Sequence, residues 1–174
     1  MLIIKIIASF MILISSSLLG YIYGMSYRKR LENLILMENC IKLLETEIIY
    51  GANPLPEALI SVYKKGNAKI SYIFKVIAEE LTIKKTGTVI ECFQSVVNIL
   101  KDKLSFEDED IELFLNLGRV IGTSDRFDQE KNFKLILTQI KTLETEARLA
   151  KDKNEKLFKS LGVLSGLAIV IILL

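Results

Sequence analysis

Between Lys5 and Arg28 the chain carries no charge: IIASFMILISSSLLGYIYGMSY, the 22 residues from Ile6 to Tyr27. As an α-helix rising ~1.5 Å per residue, this run is about 33 Å long, enough to cross the ~30 Å hydrocarbon core of a bilayer. A lone strand cannot make that crossing, because lipid offers no partner for its backbone N–H and C=O groups. Lys5 also permits a signal-peptide reading, but the apolar run is long and no clear A-x-A-type cleavage site follows it. Arg28, Lys29 and Arg30 outnumber Lys5, which places the residues after the run in the cytoplasm. The expectation is a retained membrane anchor over residues 1–27.

The other end reads EKLFKSLGVLSGLAIVIILL. Leu161 to Leu174 gives 14 uncharged residues, about 21 Å of helix. Counted from Leu157, with Lys159 reaching back to the interface, the segment is 18 residues and about 27 Å. A core helix at the chain end is the competing reading, and the wholly apolar last turn, Ile171 to Leu174, speaks against it. Lys151, Lys153, Lys156 and Lys159 precede the segment and mark its upstream side as cytoplasmic. Residues 160–174 are therefore expected to form a second, short transmembrane segment, and residues 28–159 a cytoplasmic domain. Gly20 and Gly24 stand four apart, as do Gly162 and Gly166. Such small-xxx-small faces let two antiparallel spans approach closely in lipid.

Between the anchors no useful strand alternation occurs, and apolar residues recur at helical spacing. This predicts an all-α, compact bundle of about six helices. The first carries Leu31, Leu34, Ile41, Leu44 and Ile48 and stops at Gly51. The stretch LETEIIYGANPLPEAL then breaks and restarts a helix within a few residues. Asn53 is the expected N-cap there, Pro54 and Pro56 sit in the first turn, and Glu57 complements the positive helix start. A third helix carries Ile70, Ile73, Phe74 and Ile77, and a fourth, capped by Thr88, carries Ile90, Phe93, Val97 and Leu100. Ser105 with Asp108 resembles a capping box for a fifth that runs to Gly122. Thr123 or Ser124 caps a sixth, striped with Phe133, Ile136, Leu137, Ile140, Leu143 and Ala147, which continues toward the final span.

The composition narrows the chemistry. The chain has no His, so the commonest general base and metal ligand is missing. Its net charge of +2 does not mark a nucleic-acid binder. Cys40 and Cys92 lie inside helical patterns without C-x-x-C spacing and read as buried thiols. There is no P-loop, nucleophile elbow or clustered ligand set, so no enzyme, cofactor or metal is expected. Glu79/Glu80 and Glu107 to Asp110 read as solvated helix surface. A pore would need oligomerised spans with polar faces, and only Ser15 to Ser17 interrupt the apolar run.

Three stretches together carry a family resemblance: an E-I-x-Y-G-x-x-P-L-x-E-A corner from Glu47 to Ala58, a G-x-x-D-x-x-x-Q helix start from Gly122 to Gln129, and an L-G-x-L-x-G-L run from Leu161 to Leu167. With them the whole chain resembles the stage III sporulation protein AB family of endospore-forming bacteria. It is also similar to the F domain of type II secretion and type IV pilus platforms. The resemblance implies a type II secretion F domain-like bundle flanked by two transmembrane helices. It implies a non-enzymatic platform or adaptor in a secretion-like channel complex between mother cell and forespore. The protein would lie in the mother-cell membrane, its domain in the cytoplasm. The implied partners are the stage III sporulation ATPase, protein AA, and other membrane components of that complex, with a homo-oligomer possible and no nucleic acid. Gly51, Pro54, Leu55, Glu57, Gly122, Ser124, Asp125 and Gln129 are the expected partner-binding residues, because two helix starts would offer carboxylates and N–H groups to Arg or Lys of a motor subunit. Each also has an ordinary reading as a cap or turn residue. Secretion platforms usually have two such domains and more spans than this chain.

Overall fold

The computed structural model describes residues 2–83, 88–123 and 126–173, with side chains described over 7–83, 88–121 and 128–172. Among the described residues there is no strand. The helices are α1 (Leu2–Glu45), α2 (Leu55–Lys65), α3 (Ala68–Ile83), α4 (Val89–Gln94), α5 (Val97–Asp102), α6 (Asp108–Thr123) and α7 (Arg126–Leu173). A wider helical turn, Thr46–Tyr50, extends α1. The expected all-α bundle is thus present. The chain divides into two units: residues 32–145, and a second formed by residues 1–31 with residues 146–174.

In the larger unit the helical stripes close around one core. Leu34, Ile41 and Leu44 of α1, Leu59 of α2, Ile70, Ile73, Phe74 and Ile77 of α3 and Phe133 of α7 are almost wholly buried. Each such side chain stabilises the fold by roughly 1.5–3 kcal/mol relative to exposure. The rings of Phe74 and Phe93 both meet Phe114 of α6, at 6.1 and 5.0 Å between centroids. Gly118 makes the α4–α6 contact possible. A Cβ there would stand 2.6 Å from Cγ of Phe93.

Several local expectations shift. The fourth predicted helix is two short ones, α4 and α5, broken at Ser95 and Val96. The break rotates the pattern, so Val96 is buried and Val97 only half-buried. The Thr88 side chain makes no capping bond. Ser105 is not a cap either. It adopts a left-handed backbone, φ 57°. The reciprocal contact of α6 runs from the Glu107 N–H to Oδ2 of Asp110, 2.9 Å.

The smaller unit pairs the start of α1 with the end of α7, antiparallel. Gly20 and Gly162 face each other so closely that a Cβ on Gly20 would lie 2.8 Å from the Gly162 Cα. A Cβ on Gly24 would meet the Glu155 carbonyl at 2.9 Å, and one on Gly166 would meet Leu13 and Ser16 at 3.2 Å. The Ser16 hydroxyl donates to the Gly162 carbonyl, 2.6 Å, and lies 2.8 Å from Oγ of Ser165. Polar groups in this apolar pair therefore satisfy one another. Outward it is apolar: Phe10, Met11, Ile14, Leu18, Leu164 and Ile171 are all exposed. Among the described residues, one helix, Ile7–Tyr50, is long and apolar enough to cross a membrane.

Candidate functional site

The break between α1 and α2 is built around Glu47, the first residue of the corner motif but not one of the expected partner-binding residues. Five residues, Thr46 to Tyr50, wind in the wider form, with the Gly51 N–H donating to the Thr46 carbonyl at 2.9 Å. This carries Glu47 inward, where its side chain is buried. Its carboxylate accepts from Lys65 Nζ at 2.6 Å, Ser61 Oγ at 2.8 Å and Asn53 Nδ2 at 2.7 Å. The Lys65 bond, then those of Ser61 and Asn53, hold the carboxyl below the usual carboxylate range, against the desolvation that raises it. Asn53 is therefore not the N-cap of α2. Its side chain turns back to Glu47, and Pro54 occupies the cap position without a side-chain bond. Gly51 is not the left-handed stop either. Its φ is −74°, and the left-handed residue is Ala52, φ 50°. Gly51 is needed for closeness, since a Cβ there would lie 2.7 Å from the Glu47 carbonyl oxygen.

This corner sets α2 against α3 with an open groove of about 620 Å³ between them. Pro56, Glu57, Ile60 and Lys64 line one wall, and Thr82 and Ile83 are on the other. Glu57 is exposed, Pro54 is exposed and Leu55 is half-buried. Ile83, 79% exposed, and nearby in sequence to the corner Tyr50, 71% exposed, are large apolar side chains without cover.

The second expected cluster is placed only in part. Ser124 and Asp125 lie outside the described residues, and Gly122 is described as backbone within α6. Gln129 donates from Nε2 to the Ile121 carbonyl, 3.4 Å. Glu45 sits close enough to Lys134 and Glu130 of α7 to feel both charges, and Lys134 also feels Tyr50. Burial raises the Glu45 carboxyl, Lys134 opposes that and Glu130 adds to it.

A third constellation was hidden in an apolar stripe. Glu144 follows Ile140 on the inner face of α7 and is buried, as is Glu38 of α1. Lys141 Nζ bridges them, 2.8 Å from Glu38 Oε2 and 3.0 Å from Glu144 Oε2. Lys42 adds a 2.9 Å pair to Glu38. Burial pushes Glu38 up, but Lys141 and Lys42 outweigh it and leave the carboxyl below its ordinary value. Burial prevails at Glu144, whose carboxyl is raised, with the Glu38 charge adding to the effect. Glu144 pairs with Lys141, a turn back, and not with Arg148, which stands at the i,i+4 spacing on the other side. The Glu130–Lys134 pair forms at 2.8 Å.

Among the described residues no group of three potential ligands could hold a metal. Cys40 is buried, and desolvation pushes its thiol up to about 11, far from a reactive thiolate. Besides the α2–α3 groove, a second open groove of about 530 Å³ lies between α6 and α7, lined by Glu112, Leu113, Arg119, Gln139 and Leu143.

Comparison with known proteins gives three results. The sequence pattern of a family described as stage III sporulation protein AB matches residues 5–174. The stage III sporulation protein AB of Bacillus subtilis (strain 168) is 28% identical over 170 residues, covering 98% of this chain and 99% of that protein. A solved structure of a stage III sporulation protein AB superposes with a TM-score of 0.65 at 26% identity, covering 72% of this chain and 98% of that one.

Proposed function

The chain belongs to the stage III sporulation protein AB family, and from that premise we propose that it is a non-enzymatic membrane platform of a secretion-like channel complex between mother cell and forespore. It docks a cytoplasmic motor ATPase, stage III sporulation protein AA, to the membrane. The observation that carries this reading is the combination of a packed helical unit bearing an uncovered groove with an apolar helix pair whose outer faces are lipid-compatible. Arg28, Lys29 and Arg30 after one span, and Lys151 to Lys159 before the other, put the bundle on the cytoplasmic side. The α1–α2 corner and the α2–α3 groove form the docking surface, with Leu55 and Ile60 as apolar contacts and Glu57 as the rim charge. Rim charges steer association and register.

A pore formed by oligomerised chains is the competing reading. The Ser16 hydroxyl speaks against it, because it is spent on the Gly162 carbonyl across the helix pair, at 2.6 Å. Recovery of the ATPase on the tagged full chain from sporulating cells tests the platform. Wild type should recover it. Glu57→Lys and Ile60→Glu, at unchanged membrane levels, should not. Equal recovery by all three would remove docking from the groove, and none by wild type would remove the platform itself.

A further inference from the structure

The helix pair carries a second groove that the platform reading does not use. It is about 570 Å³ and is lined by Phe10, Leu13, Ile14, Ser17, Leu18 and Tyr21 of α1, with Val163 and Leu167 of α7 opposite. From Phe10 to Tyr21 it runs about 16 Å along the helix. Ser17 supplies one polar atom group along this length, and Tyr21 closes one end.

The Tyr21 end is cationic. Lys159 Nζ lies 5.1 Å from the centre of the Tyr21 ring, so it stands at the groove mouth. Lys156 is seven residues before Val163, and Arg28 seven after Tyr21. Two helical turns return a side chain to nearly the same face, so both lie beyond the mouth on the groove side. Lys156 is exposed and, among the described residues, has no ion-pair partner. Glu155 holds Lys159 at 2.7 Å, which occupies one of three ammonium donors. The rings of Tyr23 and Tyr27 stack on Phe158 at 6.2 and 5.8 Å, at the same level of the pair. Aromatic rings of this kind collect at the headgroup depth of a bilayer.

We propose that this groove holds an acyl chain of an anionic phospholipid, whose headgroup phosphate is taken by Lys156 and Lys159. An apolar groove ending at Lys159 and at the unpaired Lys156 matches an amphiphile with an apolar tail and a net negative head. Glu155 offsets Lys159, and the charge of Lys156 is left over at the mouth. Phosphatidylcholine brings its own cation to that place, and phosphatidylglycerol does not, so the site selects the latter. Residues from opposite ends of the chain make the site together, and the bound lipid covers the seam between them.

The inference rests on the membrane reading of the helix pair, and the test separates the two. The full chain, purified in mild detergent, is offered an equal mixture of phosphatidylglycerol and phosphatidylcholine. Retained lipid is identified by native mass spectrometry. Wild type should retain phosphatidylglycerol in preference. Lys156→Gln with Lys159→Gln should lower that retention about fivefold per lysine, with Lys69→Gln on α3 as the unchanged control. Ser17→Phe, which fills the groove without touching the charges, should also displace the lipid. Equal retention of both lipids by wild type overturns the proposal, as does wild-type selectivity in either the lysine or the Ser17 variant. Failure of wild type to float with liposomes of the same mixture overturns the membrane reading instead.

Discussion

Lys141→Met tests the electrostatic clamp between α1 and α7 while keeping most of the alkyl stem. The lysine is 56% exposed, whereas the two carboxylates it bridges are 5% and 7% exposed. Removing the ammonium deletes two charge-assisted bonds, at 2.8 and 3.0 Å. Breaking a fully buried pair costs about 3–5 kcal/mol. Here the cost is smaller for two reasons. Glu38 keeps Lys42 at 2.9 Å, and burial already raises the Glu144 carboxyl, which makes its protonation less costly. We expect a loss of ~1–3 kcal/mol at pH 7. For a chain of 174 residues each kcal/mol lowers Tm by about 2–4 °C.

The pH dependence has a definite sign. The lowered Glu38 contributes stability above the ordinary carboxylate range, and that is lost as pH falls through its folded value. Glu144 acts oppositely. Its raised value means the folded state binds the proton more tightly, so its penalty shrinks as pH falls through that value. Lys141 is raised by Glu38 and then Glu144, so its stabilisation is full below the ordinary lysine range and is lost as pH rises through its folded value. The Lys141→Met deficit should therefore be smaller at pH 5 than at pH 7, because a lower pH favours protonation of the raised Glu144 carboxyl. Far-UV circular dichroism melts of the full chain in detergent micelles, at both pH values, measure it. An unchanged Tm at pH 7, or a deficit that grows toward pH 5, would refute the clamp.

Gly118→Ala should destabilise the bundle despite the gain of up to ~1 kcal/mol in helix propensity, because overpacking against buried Phe93 costs about 1–3 kcal/mol. Adding Phe93→Leu to Gly118→Ala should recover part of the loss in the same melts, and strict additivity of the two changes would contradict the contact. Ala52→Gly should be neutral or stabilising by up to ~1 kcal/mol, since it relieves a left-handed alanine at φ 50°. A clear loss of stability there would mean that Ala52 is not held left-handed. Gly162→Leu should separate the helix pair, and cysteines placed at Ser16 and Ser165 should then lose the disulfide that forms between them on oxidation in the otherwise unchanged chain.

The helices were legible because apolar stripes at helical spacing are local. Leu34, Ile41, Phe74, Phe114, Phe133 and Ile140 all face the core on that pattern. What escaped depends on partners far along the chain. Glu144 looks like the charged member of a surface pair with Arg148 until Glu38 and Lys141 are seen beside it. Asn53 has every local reason to cap α2, yet the inward Glu47 carboxylate offers it a better acceptor. The left-handed residue after the wide turn is Ala52 and not Gly51, the expected stop. Glu57 was legible as a helix-start carboxylate, but the groove beside it required α3 to be in place.

The Ser16 bond to the Gly162 carbonyl spans 146 residues, and that separation is also an interval of time. At ribosomal rates the first apolar helix waits on the order of ten seconds for its partner to be made. Throughout that wait the small, hydroxyl-bearing face around Ser16 and Gly20 has no intramolecular cover. Any neighbouring helix with a similar face is a competitor for it until Gly162 and its helix have been made. A chain stopped before Gly162 would keep that face open for good, and would be expected to pair with other chains rather than with itself.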